Sequence, residues 1–177
     1  MAAPKYALFE HERRCLVLTT PDLSAAPVRL IEDRYVDGAR LRLRLRRVTH
    51  FDGSPPELKF CKKYPADDPV SGPIVNIYLT EAEYALLAAL PARPLTKRRY
   101  RMPHAGLTFG VDVFEGPLVG LVMCEKEAGS AEAIRQVVFP PWCGPEVTAD
   151  PFFTGGHLST LTANELATRL AAVIQPA

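Results

Sequence analysis

A chain of 177 residues with 21 Lys+Arg against 20 Asp+Glu can bury the core of one domain. It has no global positive field to draw in nucleic acid or an anionic membrane surface. Its 17 prolines imply short elements joined by stiff turns, and no apolar run reaches the length of a membrane span. Cys15, Cys61, Cys124 and Cys143 form no Cys-x-x-Cys pair. With no signal peptide in the first 14 residues, they are expected to be reduced thiols in a cytoplasm.

The predicted elements are mostly strands. Residues 6–18 alternate so that Glu10, Glu12 and Arg14 share one face. Residues 19–27 form a loop with a helical turn after Pro21. A second strand over 29–36 turns at Asp37-Gly38 into a third over 38–48, the hairpin signal of an Asp-Gly pair. This third strand alternates arginine with leucine: Arg40, Arg42, Arg44 and Arg46 lie on one face, Leu41, Leu43 and Leu45 on the other. Same-face neighbours about 6.6 Å apart repel by about 0.6 kcal/mol in water and about 2.5 kcal/mol at an effective dielectric near 20. Such a row calls for carboxylates or a bound anion.

Asp52-Gly53 turns into a strand over 57–64, with Lys59 and Lys63 on one face, and a loop over 65–73 leads to a short strand over 74–79. Thr80-Glu81-Ala82-Glu83 is a capping box opening a helix that Pro91 stops, with Tyr84, Leu87 and Leu90 as core. Residues 96–102 return to strand with Lys97, Arg99 and Arg101 on one side. A hairpin over 107–127 turns at Glu115-Gly116. A short helix over 130–137, an irregular stretch over 140–153 and a final helix capped by Thr162 and Glu165 complete the chain. Seven or eight mainly antiparallel strands with inserted helices make one α+β domain spanning 1–177.

The charges sort by face. Basic groups come from three strands: the arginine row, Lys59 with Lys63, and Lys97 with Arg99. Acidic pairs at i, i+2 come from two: Glu10 with Glu12 and Glu125 with Glu127. Two carboxylates on one side of a strand suit a hard cation, Mg²⁺ or Mn²⁺, bound jointly to carboxylate and phosphate oxygens. The opposite faces are largely apolar. The expected arrangement is a closed sheet, charged inside and apolar outside, forming a polar tunnel for a metal-bound polyphosphate. Lys63 and Arg101 are read as surface charges, Arg46 and Arg47 as solvated at a strand end, and His11 as packing on the opposite face. Asp112 and Glu146 fit either tunnel lining, bracing of a basic residue, or a satisfied structural carboxylate. The cysteines have no nucleophile–base partner.

Glu10-His-Glu12-Arg-Arg14 followed by Cys-Leu-Val resembles the Glu-x-Glu-x-Lys signature that opens the CYTH superfamily, the triphosphate tunnel metalloenzymes. The likeness continues in order through the strand-borne Arg-x-Arg, Lys97-Arg-Arg99-Tyr100 and Asp112-Val-Phe-Glu-Gly116. Gly120-Leu121, Glu125-Lys-Glu127 and Pro141-Trp-Cys-Gly-Pro-Glu146-Val147-Thr148 follow, so that it covers residues 6–157. Arg14 stands where the signature has Lys, a planar fork in place of a compact ammonium. The strand over 74–79 lacks the acidic residues that many relatives carry.

The resemblance implies an eight-stranded antiparallel β-barrel tunnel with helices packed outside. Glu10, Glu12, Glu125 and Glu127 would hold one or two Mg²⁺ or Mn²⁺ ions. Arg14, Arg40, Arg42, Arg44, Lys59, Lys97 and Arg99 would grip phosphate oxygens, with Glu10, Glu12 and Arg14 as the catalytic set. Counting from the Gly38 turn favours Arg40 and Arg42, with Arg44 next. The implied activity is hydrolysis of the terminal phosphate of tripolyphosphate or of a nucleoside or thiamine triphosphate. The alternatives are a class IV-type adenylyl cyclase and a non-catalytic polyphosphate binder. The expected partner is a small-molecule triphosphate or polyphosphate, with no membrane and no nucleic acid, and a homodimer is allowed.

Overall fold

The structure is a computed structural model that describes residues 4–38 and 43–174. Nine strands are present among the described residues: β1 (Leu8–Val17), β2 (Val28–Val36), β3 (Leu43–His50), β4 (Glu57–Lys63), β5 (Ser71–Tyr78), β6 (Ala92–His104), β7 (Leu107–Phe114), β8 (Val122–Ala128) and β9 (Cys143–Glu146). Neighbours run in the order β5-β4-β3-β2-β6-β7-β8-β1-β9, and a further β5–β1 pairing closes the first eight into a ring. Every pairing is antiparallel. The closed, charged-inside sheet expected from the alternation is what forms.

Closure depends on β1 serving three partners along its length. Leu8 to His11 pair with β5, His11 to Leu16 with β8, and Cys15 with Val17 meet β9. This requires β5 to begin at Ser71, three residues earlier than the apolar run 74–79 predicts, because the extra residues Ser71 to Pro73 are the ones that pair with β1. Strand β6 likewise extends well beyond 96–102 at both ends, drawn out by its long ladders with β2 and β7.

Among the described residues four helices lie outside the ring: α1 (Glu81–Ala88), α2 (Ala131–Arg135), α3 (Gly155–Leu158) and α4 (Ala163–Ile174). Thr80 caps α1 through a capping box, as its spacing predicts. The expectation that Tyr84, Leu87 and Leu90 are core does not hold: α1 buries no residue completely. It lies on the outside of β3 and β4, with Tyr84 beneath the Arg47 guanidinium at 5.2 Å. The amphipathic α4 does contribute core, burying Leu166 with Leu170 and Val173 packed beside it.

The main apolar core sits at one end of the barrel. There the inward-facing Leu16, Leu95, Phe114 and Met123 meet Val147, Phe153 and Leu158 from the chain that crosses that end. The stretch 140–153, expected to be irregular, contains β9 and a 3₁₀ turn at Pro151–Phe153. Next to it, α3 packs its first residue against the barrel so closely that a Cβ at Gly155 would lie 1.8 Å from Tyr35 Oη. Only glycine fits there. One end of the tunnel interior is thus apolar and covered, which leaves the charged layers beside it facing a cavity.

Candidate active site

The barrel encloses a cavity of about 1030 Å³ with two chemically distinct walls. The acidic wall comes from β1 and β8. Strand alternation puts Glu10, Glu12 and Arg14 inward on β1, and Glu125 and Glu127 inward on β8. Register places Glu12 opposite Glu127 and Arg14 opposite Glu125. Glu10, Glu12 and Glu127 each offer one carboxylate oxygen within 4.8 Å of the others. Burial alone would raise the Glu12 carboxyl, but the charges of Lys63 and Arg14 outweigh it and hold Glu12 below its ordinary range. Glu127 shifts the other way, raised by burial and then by the charges of Glu10 and Glu12. Three hard oxygen donors with less than their share of positive charge fit a divalent cation such as Mg²⁺ or Mn²⁺.

Glu125 is not part of that cluster. It accepts a hydrogen bond from Arg99 Nη2, and Lys97 Nζ stands 3.6 Å away. Burial opposes ionisation, yet those two cations together with Arg14 hold its carboxyl well below the usual range. The four glutamates expected to act together are therefore divided, three around one point and one bound to the basic wall.

The basic wall is organised by two buried aspartates. Asp112 on β7 accepts from Arg99 Nε at 2.6 Å and Nη2 at 2.5 Å, and from Lys97 Nζ. Asp33 on β2 takes both prongs of Arg46 at 2.7 Å, with Arg44 Nε at 3.5 Å. Burial opposes ionisation of Asp33, yet Arg46 and Arg44 pull its carboxyl down to about 2. These acids answer the repulsion along the arginine row. Unused donors remain around the cavity: Arg44 Nε on the row, Arg14 Nε on β1 and Arg93 Nε on β6, all on side chains lining the cavity, are buried with no hydrogen-bond partner among the described residues. Buried orphan donors of this kind are costly.

Several expectations need correction. Lys63, read as a surface charge, lines the cavity and hydrogen-bonds Glu10 and Glu12. Arg46, read as solvated, is the bidentate partner of Asp33. Lys59 has the inward parity but lies beyond the cavity, with Nζ on Glu57 at 2.8 Å and over the Tyr78 ring at 5.1 Å. Arg40 and Arg42 lie outside the described residues; Arg44 is the member of the expected set that lines the cavity. His11 stacks on Phe9 on the outer face, as expected.

Glu146, for which bracing of a basic residue was one expectation, accepts from Arg13 Nε at 3.0 Å and Nη2 at 2.6 Å. Its neighbour Thr148 accepts from the Arg14 amide at 2.9 Å, and Arg14 Nη1 donates to the Phe153 carbonyl at 3.0 Å. The segment after β9 thus pins Arg14 from behind. Asp33 and Arg93 line the cavity without having been expected there; for Asp33, its parity with Tyr35 and Ile31 on β2 is the signal in the sequence. The four thiols are free, and burial, followed by the Cys143 thiol and Glu146, pushes Cys15 up to about 12.

An inorganic triphosphatase of Nitrosomonas europaea is 32% identical to this chain over 150 residues, covering 80% of this chain and 90% of that protein. The chain belongs to the CYTH superfamily of triphosphate tunnel metalloenzymes. A second inorganic triphosphatase, from Acetivibrio thermocellus, is 34% identical over 98 residues, half of this chain and 62% of that one. Among solved structures, the crystal structure of an inorganic triphosphatase aligns with a TM-score of 0.55 at 25% identity, covering 90% of this chain and 98% of that one. No family model matches the chain. No helix among the described residues is long and apolar enough to cross a membrane.

Proposed function

We propose that this chain is a metal-dependent triphosphatase that hydrolyses the terminal phosphate of inorganic tripolyphosphate within the barrel. The observation that carries this reading is a single cavity lined both by the carboxylate cluster of Glu10, Glu12 and Glu127 and by Arg14, Arg44 and Arg93, whose buried Nε donors lack hydrogen-bond partners among the described residues. The triphosphatase names of its relatives support it.

Phosphoryl transfer needs alignment and charge neutralisation more than covalent chemistry from the protein. Arg14, Arg44, Lys97 and Arg99 bind the phosphate oxygens, with Asp33 and Asp112 fixing where those cations point. Glu10, Glu12 and Glu127 would hold Mg²⁺ or Mn²⁺, which would supply positive charge to offset the phosphates and help orient the attacking water. Glu127, the most exposed of the three, accepts a hydrogen bond from that water. The four free thiols fit a reducing compartment, the cytoplasm.

Purified protein with Mg²⁺ or Mn²⁺ is expected to release orthophosphate from tripolyphosphate. A panel that includes ATP and thiamine triphosphate, with products identified, tests the substrate. Absence of phosphate release from all three sinks the hydrolase reading. Pyrophosphate with cyclic AMP from ATP would replace it with a cyclase.

A further inference from the structure

Lys63 engages two of the three carboxylates that a divalent cation would use. Its Nζ hydrogen-bonds Glu10 Oε2 and lies 3.2 Å from Glu12 Oε1. The carboxylate oxygens of Glu10, Glu12 and Glu127 are themselves within 4.8 Å of one another. An ammonium and a divalent cation sharing those oxygens would be a few ångströms apart between protein walls, where like charges repel far more than in bulk water. Both cannot stay.

Lys63 reaches the glutamates over an open stretch of the barrel wall. It comes from β4, separated from β1 by β5, so the contact spans β5 rather than running along a ladder. The β5 residue opposite Glu10 is Gly72, which puts no side chain in the way. Lys63 hangs on a flexible four-carbon stem with three rotatable donors. Two residues back along the same face is Cys61, in register with Arg44 on β3, so Lys63 also borders the wall that carries the orphan arginine donors.

We propose that Lys63 is a transferable counter-ion. In the free protein its ammonium occupies the divalent-cation position at Glu10 and Glu12, and when the metal enters it moves to an oxygen of the triphosphate. The second half of this inference rests on the triphosphatase reading; the first rests on the carboxylate geometry alone. Metal entering by itself has to displace the lysine, and triphosphate arriving by itself has to draw the lysine away from the glutamates. Arriving together, each removes the other's obstacle, so their binding is positively coupled.

The test compares wild type with Lys63→Met as full-length folded chains, by calorimetric titration with Mn²⁺ alone and, separately, with tripolyphosphate in metal-free buffer. Mn²⁺ is expected to bind the variant at least tenfold more tightly, and tripolyphosphate at least tenfold more weakly. A merely structural role for Lys63 would weaken both, so the opposite signs are the signature. Mn²⁺ binding that is unchanged or weaker in the folded variant, or undetectable in both proteins, overturns the proposal. If Lys63→Met does not show a cooperative melt, Lys63→Gln is neutral as well and is judged by the same two titrations. Tighter Mn²⁺ binding by the variant, alongside a wild type that releases no phosphate from tripolyphosphate, would uphold the counter-ion and remove only the triphosphatase reading.

Discussion

Asp112 is fully buried yet serves Lys97 and Arg99 at once, so its charge is what makes two buried cations tolerable. Removing one partner of such a group leaves uncompensated charge in the interior and costs about 3–5 kcal/mol. Asp112→Asn is therefore expected to destabilise the fold by about 3 kcal/mol in urea unfolding. Glu12→Gln should behave in the opposite way. It deletes an acid that is repelled by Glu125 as well as attracted by Lys63, so the two stability effects oppose each other. It also replaces one of three clustered carboxylates with a neutral amide, a poorer ligand for a divalent cation. The expected result is a loss of at least about 100-fold in phosphate release, with the melting temperature almost unmoved. An equal loss of both would give Glu12 a structural role instead.

At the scale of elements, the local signals differ in how much they carry. The Thr80–Glu83 capping box starts α1, a helix with no completely buried residue, so its ends matter more than its packing. Thr80→Ala is expected to cost about 1 kcal/mol in thermal or chemical denaturation. The short α3 depends instead on one close approach. At Gly155 even a methyl group would enter the Tyr35 ring, where it would lie 2.7 Å from Cζ. Gly155→Ala should force α3 off the barrel end and cost about 1–3 kcal/mol, with a loss of activity that exceeds that of Gly156→Ala, whose Cβ would sit at 3.7 Å from the same ring. Equal effects of the two substitutions would mean that the contact does not position the site.

The molecule as a whole should lose stability steeply in acid, below about pH 4. Asp33 is held at about 2 against an ordinary value of 3.8, and Glu125 also lies well below its ordinary range. A depressed carboxyl contributes stability that is present above its unfolded pKa and lost as pH falls through the folded one. For Asp33 that is about 2 kcal/mol, lost between about pH 4 and pH 2. Glu127 is raised and has the opposite sign: its ionisation costs the fold as pH climbs through its folded pKa. Unfolding free energy measured against pH should therefore fall steeply below pH 4, and Asp33→Asn should flatten that slope. An unchanged slope in the variant would mean that the Asp33–arginine pairs add little.

The alternation of Arg44, Leu45 and Arg46, or of Glu10, His11 and Glu12, determined by itself which side chains share a face, because the two-residue period belongs to the extended backbone and needs no partner. The capping boxes at Thr80 and Thr162 were legible for the same reason, since each is closed within four residues. Only the tertiary structure decided which charges meet. Arg46 finds Asp33 through the register of β2 with β3, and Lys63 reaches Glu10 and Glu12 because the β5–β1 pairing closes the ring. Closure also separates Glu127, beside those glutamates, from Glu125, beside Arg99. Register and closure depend on every ladder in the barrel at once, so no single strand carries the information that tells a surface lysine from one at the centre of the site.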